Sequence, residues 1–310
     1  MFHVKHLPFF RCIVHRNNTV ATYKIMEIIC KKIYNNLSIY VYMENYARRK
    51  NMGKAIAIFN QKGGVGKTTT NINLGACLAM KGKKVLVVDI DPQGNTTSGI
   101  GIRKRSLEYT IYDVLLEDDF DIKKAILPTK TKNLDIIPAD VDLAGAEVEL
   151  VSIEGRERRL KKAIDSIRDS YDFIFIDCPP SLGLLTINSL TAVDSVLIPI
   201  QCEFYALEGV SQLVSTIELV KKNMNPNIYI EGVILSMFDG RTNLSLQVVQ
   251  EVKNFFGSAV YSTIIPRNVR LAEAPSYGVP AITYDPNASG AKAYMAFTKE
   301  FLEREKKAGK

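Results

Sequence analysis

From position 52 onward the chain alternates between two patterns. Short runs of aliphatic and β-branched residues recur at 55–60, 84–89, 134–138, 173–177, 195–200, 228–236 and 259–265. Longer stretches with apolar residues every three or four positions occupy 67–81, 156–170, 206–223, 244–256 and 288–306. The first set predicts strands and the second amphipathic helices. Strands that are apolar throughout, rather than alternately polar, need cover on both faces. Their alternation with helices makes the sheet mostly parallel and doubly wound. No internal repeat and no Pro/Gly/Ser-rich linker interrupts 52–310, so one α/β domain is expected there. Ligands of such sheets bind beyond the carboxyl ends of the strands, and polar residues do cluster just after the runs.

The first cluster is Gln61-Lys62-Gly63-Gly64-Val65-Gly66-Lys67-Thr68-Thr69, between a predicted strand and a predicted helix. Glycines let a backbone curl until successive N–H groups converge on phosphate oxygens, and the helix N-terminus adds partial positive charge. In a P-loop of this kind Lys67 contacts the β- and γ-phosphates and Thr68 ligates Mg²⁺. The strict pattern G-x-x-x-x-G-K-[ST] fails, because Gln61 stands where its first glycine belongs and Lys62 adds a second lysine. Two other runs end in acids: Val85–Asp89 continues into Ile90-Asp91-Pro92-Gln93-Gly94-Asn95, and Phe173–Asp177 continues into Cys178-Pro179-Pro180.

The K-G-G-x-G-K-T-T loop resembles the deviant Walker A family, which includes the ParA/Soj partition ATPases, the division regulator MinD and the nitrogenase iron protein. The resemblance to the ParA/Soj branch extends over nearly all of 52–310, through "DIDPQGNTTSG", "DCPPSLGLLTINSL", "QCEFYALEGVSQL" and "PRNVRLAEAPSYG". It implies a P-loop ATPase with ATP and Mg²⁺ as cofactors and a homodimer that forms on ATP. Lys62 then reaches the phosphates of the partner's ATP, so Lys62, Lys67 and Asp91 are the catalytic set. Asp91 orients or deprotonates the attacking water. ATP lies on Lys62, Gly63, Gly64, Val65, Gly66, Lys67, Thr68 and Thr69, with Pro266 and Asn268 against the adenine. Thr68, Asp89 and Asp177 serve Mg²⁺. Arg241 and Arg270 match the arginines that the family uses on non-specific double-stranded DNA. The implied partner is a ParB/Spo0J-type centromere protein that stimulates a slow intrinsic hydrolysis, and the implied location is cytoplasmic and nucleoid-associated.

Other branches fit less well. The iron protein requires cluster-bridging cysteines, and no second cysteine matches Cys178. A MinD-type chain ends in a basic amphipathic helix on the membrane, whereas the stripe Tyr294, Met295, Phe297, Phe301, Leu302 is expected to pack on the sheet. Anion pumps duplicate the P-loop. A P-loop amide synthetase needs a substrate pocket that no motif marks. An ATP-switched regulator of replication initiation or sporulation genes, without a transport role, would use the same dimer.

Charge changes the picture only locally. The chain carries +7, but residues 1–51 hold nine Lys/Arg against two Glu, and 52–310 hold 31 of each sign. Any DNA affinity of the main domain must therefore come from placement, not net charge. All three histidines lie in the leader, which excludes histidine general-base chemistry in the main domain. Five unpaired-looking cysteines (Cys12, Cys30, Cys77, Cys178, Cys202) read as reduced, mostly buried thiols. Nothing in 1–51 resembles the family, whose pattern begins at Met52-Gly53-Lys54. That leader is expected to be a non-native or disordered extension upstream of the true start. Codons allowed for Met1–His6 include a self-complementary string similar to a ParB centromere site.

Overall fold

A computed structural model describes residues 52–203 and 209–308. The leader, and the part of the "QCEFYALEGVSQL" match at 204–208, lie outside the described residues.

In chain order the elements are β1 (Lys54–Ile58), α1 (Lys67–Met80), β2 (Val85–Asp89), α2 (Asn95–Gly99) and α3 (Ile111–Leu116). Then come β3 (Leu127–Pro128), β4 (Leu134–Ile137), α4 (Leu143–Glu149), α5 (Arg159–Asp165), β5 (Phe173–Asp177) and α6 (Leu184–Ala192). The last third holds β6 (Ser195–Gln201), α7 (Val210–Asn223), β7 (Tyr229–Phe238), α8 (Asn243–Phe256), β8 (Val260–Pro266), α9 (Val269–Glu273), α10 (Ala281–Tyr284) and α11 (Ser289–Ala308). Eight strands form one sheet in the order β3-β4-β2-β5-β1-β6-β7-β8. Every pairing is parallel except β3 with β4.

The central strands are buried on both faces, as their unbroken apolar runs require. Along β1, Ala55 and Ala57 enter one core while Ile56 and Ile58 enter the other. On β2, Leu86 and Val88 face the first core, and Val85 and Val87 the second. The first core is closed by α3 to α8, through residues such as Ile111, Leu143, Leu160, Leu190, Leu213 and Val248. The second is closed by α1 and α11, where Ile72 and Leu74 meet Tyr294, Phe297 and Phe301. Tyr294, Phe297 and Phe301 are wholly buried, and each contributes about 2–3 kcal/mol by leaving water. The expectation that the final helix packs on the sheet therefore holds. Tyr294 also shares a hydrogen bond of 3.0 Å with Thr70 of α1. Cys77, Cys178 and Cys202 are free and buried.

Two predicted features differ. The stretch 156–170 is one turn of 3-10 helix, then α5, then another 3-10 turn at Arg168–Ser170. Long-range contacts break it: the Arg168 carbonyl accepts the Gly53 N–H at 3.1 Å, and the guanidinium donates to Asp194 and the Ala192 carbonyl. Strand β3 lacks any run in sequence, being two residues long with a proline on an edge, where a missing N–H costs little.

β1 lies where the strand order reverses: β5 and β2 follow on one side and β6 on the other. A crevice opens beyond the carboxyl ends of strands at such a point.

Candidate nucleotide-binding site

The loop after β1 turns back on itself before α1. Gly64 and Gly66 sit at φ of 74° and 93°, in the left-handed region that side chains disfavour. A Cβ on Gly63 or Gly64 would meet nothing within 4 Å, so the space beside these two glycines is open. Its underside is pinned from two strands and a helix. Asn60 donates Nδ2 to the Pro199 carbonyl at 2.8 Å and accepts the Lys62 N–H at 3.0 Å. Gln61, the residue that breaks the standard pattern, donates to Thr216 Oγ1 of α7 at 2.9 Å. The buried Ser236 hydroxyl of β7 donates to the Val65 carbonyl at 2.7 Å. Side chains outside the motif thus set the loop's shape.

Lys67 is 7% exposed and donates Nζ to the Lys62 carbonyl at 3.1 Å. Burial pushes its pKa below the ordinary lysine value, opposed chiefly by the negative charge of Asp177, with Asp91 adding to it. The Lys62 side chain is only partly buried, and among the described residues no carboxylate lies within 4.0 Å of its ammonium.

Asp89 and Asp177 stand side by side at the ends of β2 and β5, paired in register and both buried. Both are held above the usual carboxylate range, chiefly by burial, with repulsion between neighbouring carboxylates adding to it. Their partners differ. Asp89 Oδ2 accepts the Thr97 N–H at 2.8 Å and the Thr97 hydroxyl at 2.7 Å, and Oδ1 accepts the Asp91 N–H at 3.3 Å. Its carboxylate is thus turned to the segment that begins α2. Asp177 Oδ2 accepts the Thr96 hydroxyl at 2.8 Å, whereas its buried Oδ1 has no partner. Thr68 and Thr96 hydroxyls favour its charged form. Asp91 is 9% exposed, and its Oδ1 accepts the Gln93 N–H at 2.9 Å in a tight turn.

An orphaned, buried carboxylate oxygen beside a threonine hydroxyl suits a hard cation, and Mg²⁺ takes such oxygen donors while keeping much of its water. Asp177 and Thr68 therefore fit the ion. No group of three or more His, Cys, Asp or Glu that could hold a metal occurs among the described residues. Mg²⁺ held largely by phosphate oxygens and water needs none.

The remaining expected residues lie at or just after the ends of β7 and β8. Pro266 ends β8 in register with Phe238 of β7. Asn268, before α9, donates Nδ2 to Ser289 Oγ at 2.9 Å and keeps a buried, unpartnered Oδ1. Arg241 and Arg270 are exposed, and each is engaged by acids. Arg241 pairs with Asp239 at 2.6 Å, and Arg270 pairs with Glu273 at 2.7 Å and Asp285 at 3.5 Å. The residues that sequence reasoning overlooked are Gln61, Thr96, Thr97 and Ser236. The two threonines lay inside "DIDPQGNTTSG", and hydroxyls following a buried strand-end acid were the available signal.

A family model described as an AAA domain matches residues 53–230. The chain is 61% identical over 249 residues to the sporulation initiation inhibitor protein Soj of Bacillus subtilis, covering 80% of this chain and 98% of that one. It is 53% identical over 254 residues to the chromosome partitioning protein ParA of Myxococcus xanthus, with 82% and 89% covered. The chain belongs to the ParA/Soj family of chromosome-partitioning ATPases. Similar solved structures agree with this ParA/MinD-type fold. MinD of Pyrococcus horikoshii with Mg-ADP aligns at TM-score 0.69 and 28% identity, over 83% of this chain and 98% of that one. Cobyrinic acid a,c-diamide synthase from Mycobacterium smegmatis, with bound ADP and magnesium, aligns at 0.72 and 37%, over 84% and 97%. Among the described residues no helix is long and apolar enough to cross a membrane.

Proposed function

We propose that this ParA/Soj chain is an ATP-switched partition ATPase that binds DNA without sequence preference as an ATP dimer. The observation that carries the reading is the contrast between its two loop lysines. Lys67 is buried and folded back on its own loop, whereas Lys62 is partly exposed and free of carboxylates among the described residues. A flexible cation at the mouth of a phosphate loop suits charge neutralisation across a subunit interface. Dimerisation then depends on the nucleotide.

In this scheme the open face of Gly63–Gly66, with Lys67 and Thr69, receives the phosphates of ATP. Pro266 and Asn268 flank the adenine. Thr68 and Asp177 would hold hydrated Mg²⁺, which would neutralise charge on the transferred phosphoryl group when bound. Asp89 supports that shell at one remove, by fixing Thr97 and the turn that carries Asp91. Asp91 accepts a proton from water as the water oxygen bonds to the γ-phosphorus. The bond from that phosphorus to the β–γ bridging oxygen breaks, and ADP leaves with inorganic phosphate.

The Asp91 turn is closed on itself through the Gln93 N–H, so intrinsic turnover is slow and a centromere-bound ParB-type partner accelerates it. Hydrolysis releases the dimer from DNA. Arg241 and Arg270 supply phosphate contacts, exchanging exposed ion pairs of low net worth for DNA phosphates. Dimerisation doubles these contacts on one face. The name of the B. subtilis relative favours a second reading, in which the same dimer regulates sporulation without a transport role.

The test is Asp91→Ala. It should bind ATP normally, accumulate as a DNA-bound dimer in a sedimentation assay, and lose partner-stimulated phosphate release. Wild-type hydrolysis by this variant would remove Asp91 from the mechanism.

A further inference from the structure

Ten arginines lie among the described residues, and seven of them pair with a carboxylate within 4.0 Å. Two of the three that do not, Arg103 and Arg105, share a single turn with Lys104 between them. Both are exposed. An exposed arginine normally finds an acid at little cost, and the expected DNA residues Arg241 and Arg270 have each done so. A turn that holds two guanidiniums without a carboxylate partner among the described residues keeps its positive charge available.

Its position gives the turn two attachments. On one side the Lys104 ammonium donates to the Gln93 carbonyl, two residues beyond Asp91, and its stem fills the space beside Gly94. On the other side the preceding residue Gly101 lies against Gly278, so closely that a Cβ on either would come within 2.6 Å of the other's backbone. Both glycines have left-handed φ, 89° and 64°. Pro275 likewise touches the position a Gly99 Cβ would take, at 3.5 Å. Residues 274–278 directly continue α9, which carries Arg270. The basic turn is thus braced between the turn holding the water-activating carboxylate and the segment holding an expected DNA arginine.

We propose that Arg103 and Arg105 form a second phosphate-contact site for duplex DNA, continuous with that of Arg270 and positioned through Lys104 by the nucleotide site. The inference rests on the DNA-binding reading given under Proposed function. Arginine forks match phosphate oxygens bidentately and read no base from outside the groove, so the added affinity is sequence-independent. Two arginines in each of two subunits can neutralise up to four phosphates.

The experiment is a salt titration of ATP-dependent binding to random-sequence duplex DNA, for wild type, Arg103→Ala/Arg105→Ala and Arg103→Lys/Arg105→Lys. Light scattering of each protein with ATP and DNA-free phosphate release accompany it. With up to four phosphates no longer neutralised, the alanine variant should show a log–log salt slope shallower by up to about 3.6 and at least a roughly tenfold weaker affinity near 0.1 M salt. The lysine variant should keep most of the slope, and ATP dimerisation and DNA-free turnover should be unchanged in both. An unaltered slope in the alanine variant would overturn the inference while leaving the DNA-binding reading intact. Loss of the ATP dimer would overturn it as well, by placing the turn at the subunit contact. If wild type itself fails to bind DNA with ATP, the underlying reading falls and this inference with it.

Discussion

Replacing Thr97 by valine tests how the buried acids are held. The two side chains have nearly the same shape, so the change leaves little cavity and the loss is polar. Thr97 Oγ1 donates to Asp89 Oδ2 at 2.7 Å and accepts the buried Ala139 N–H at 2.9 Å. A hydrogen bond to an ionised acceptor is worth about 1.5–3 kcal/mol, and a buried N–H left unsatisfied costs about 1–3 kcal/mol. Only the backbone N–H of Thr97 would still serve Asp89 Oδ2. Together Thr97→Val should cost about 2.5–6 kcal/mol. With a urea dependence near 3 kcal/mol per molar for a domain of this size, the midpoint should fall by about 0.8–2 M. Equilibrium urea unfolding at pH 8 without nucleotide, followed by circular dichroism, measures it directly. A shift below about 0.3 M would show that Asp89 does not depend on this hydroxyl, and the picture of a carboxylate anchoring the Asp91 turn would be wrong.

Two further outcomes follow from the same geometry. Because Asp89 and Asp177 both titrate above their unfolded values, the native state holds more protons than the unfolded chain, and this pair lowers stability as pH rises from about 4 to 7. Asp177→Asn removes one acid and the repulsion, so urea midpoints of nucleotide-free protein should fall less across that window than in wild type; an identical pH slope would contradict the assignment. Arg241→Ala and Arg270→Ala should each weaken DNA binding equally on all sequences and reduce its salt slope, with ATP dimerisation intact. Selective loss on some sequences, seen by competition binding, would instead indicate base readout.

Much of the fold was legible because it was written in long patterns. β5 has the bounds its apolar run predicts, and the other long strands and α1, α8 and α11 differ by a residue or two at their ends. The elements that escaped were mostly short, the nine-residue α6 apart. α2, α9 and α10 have five, five and four residues, too few to show a period. The stretch 156–170 reads as one helix locally, and only the distant partners of Arg168 divide it. The phosphate loop was visible from its glycines and lysines because its chemistry is local. Its supports were not: Ser236 lies 171 positions from Val65, and Thr216 lies 155 from Gln61, so their roles appear only when strands and helices assemble. The shortest ion pairs of Arg241 and Arg270 use acids two or three residues away, and sequence spacing alone allows them equally well to be free.

The most direct test is the molar mass of the protein in solution with Mg-ATP, by multi-angle light scattering, for wild type and Lys62→Ala. The Lys62 side chain takes no part in the hydrogen bonds that shape the loop, which use only its backbone, so its truncation should leave ATP affinity within a few-fold of wild type. Wild type should dimerise on ATP and remain monomeric on ADP, and Lys62→Ala should stay monomeric on both and fail to bind DNA. A Lys62→Ala protein that still forms the ATP dimer would contradict the role of this lysine across the interface, and with it the nucleotide switch proposed for this chain.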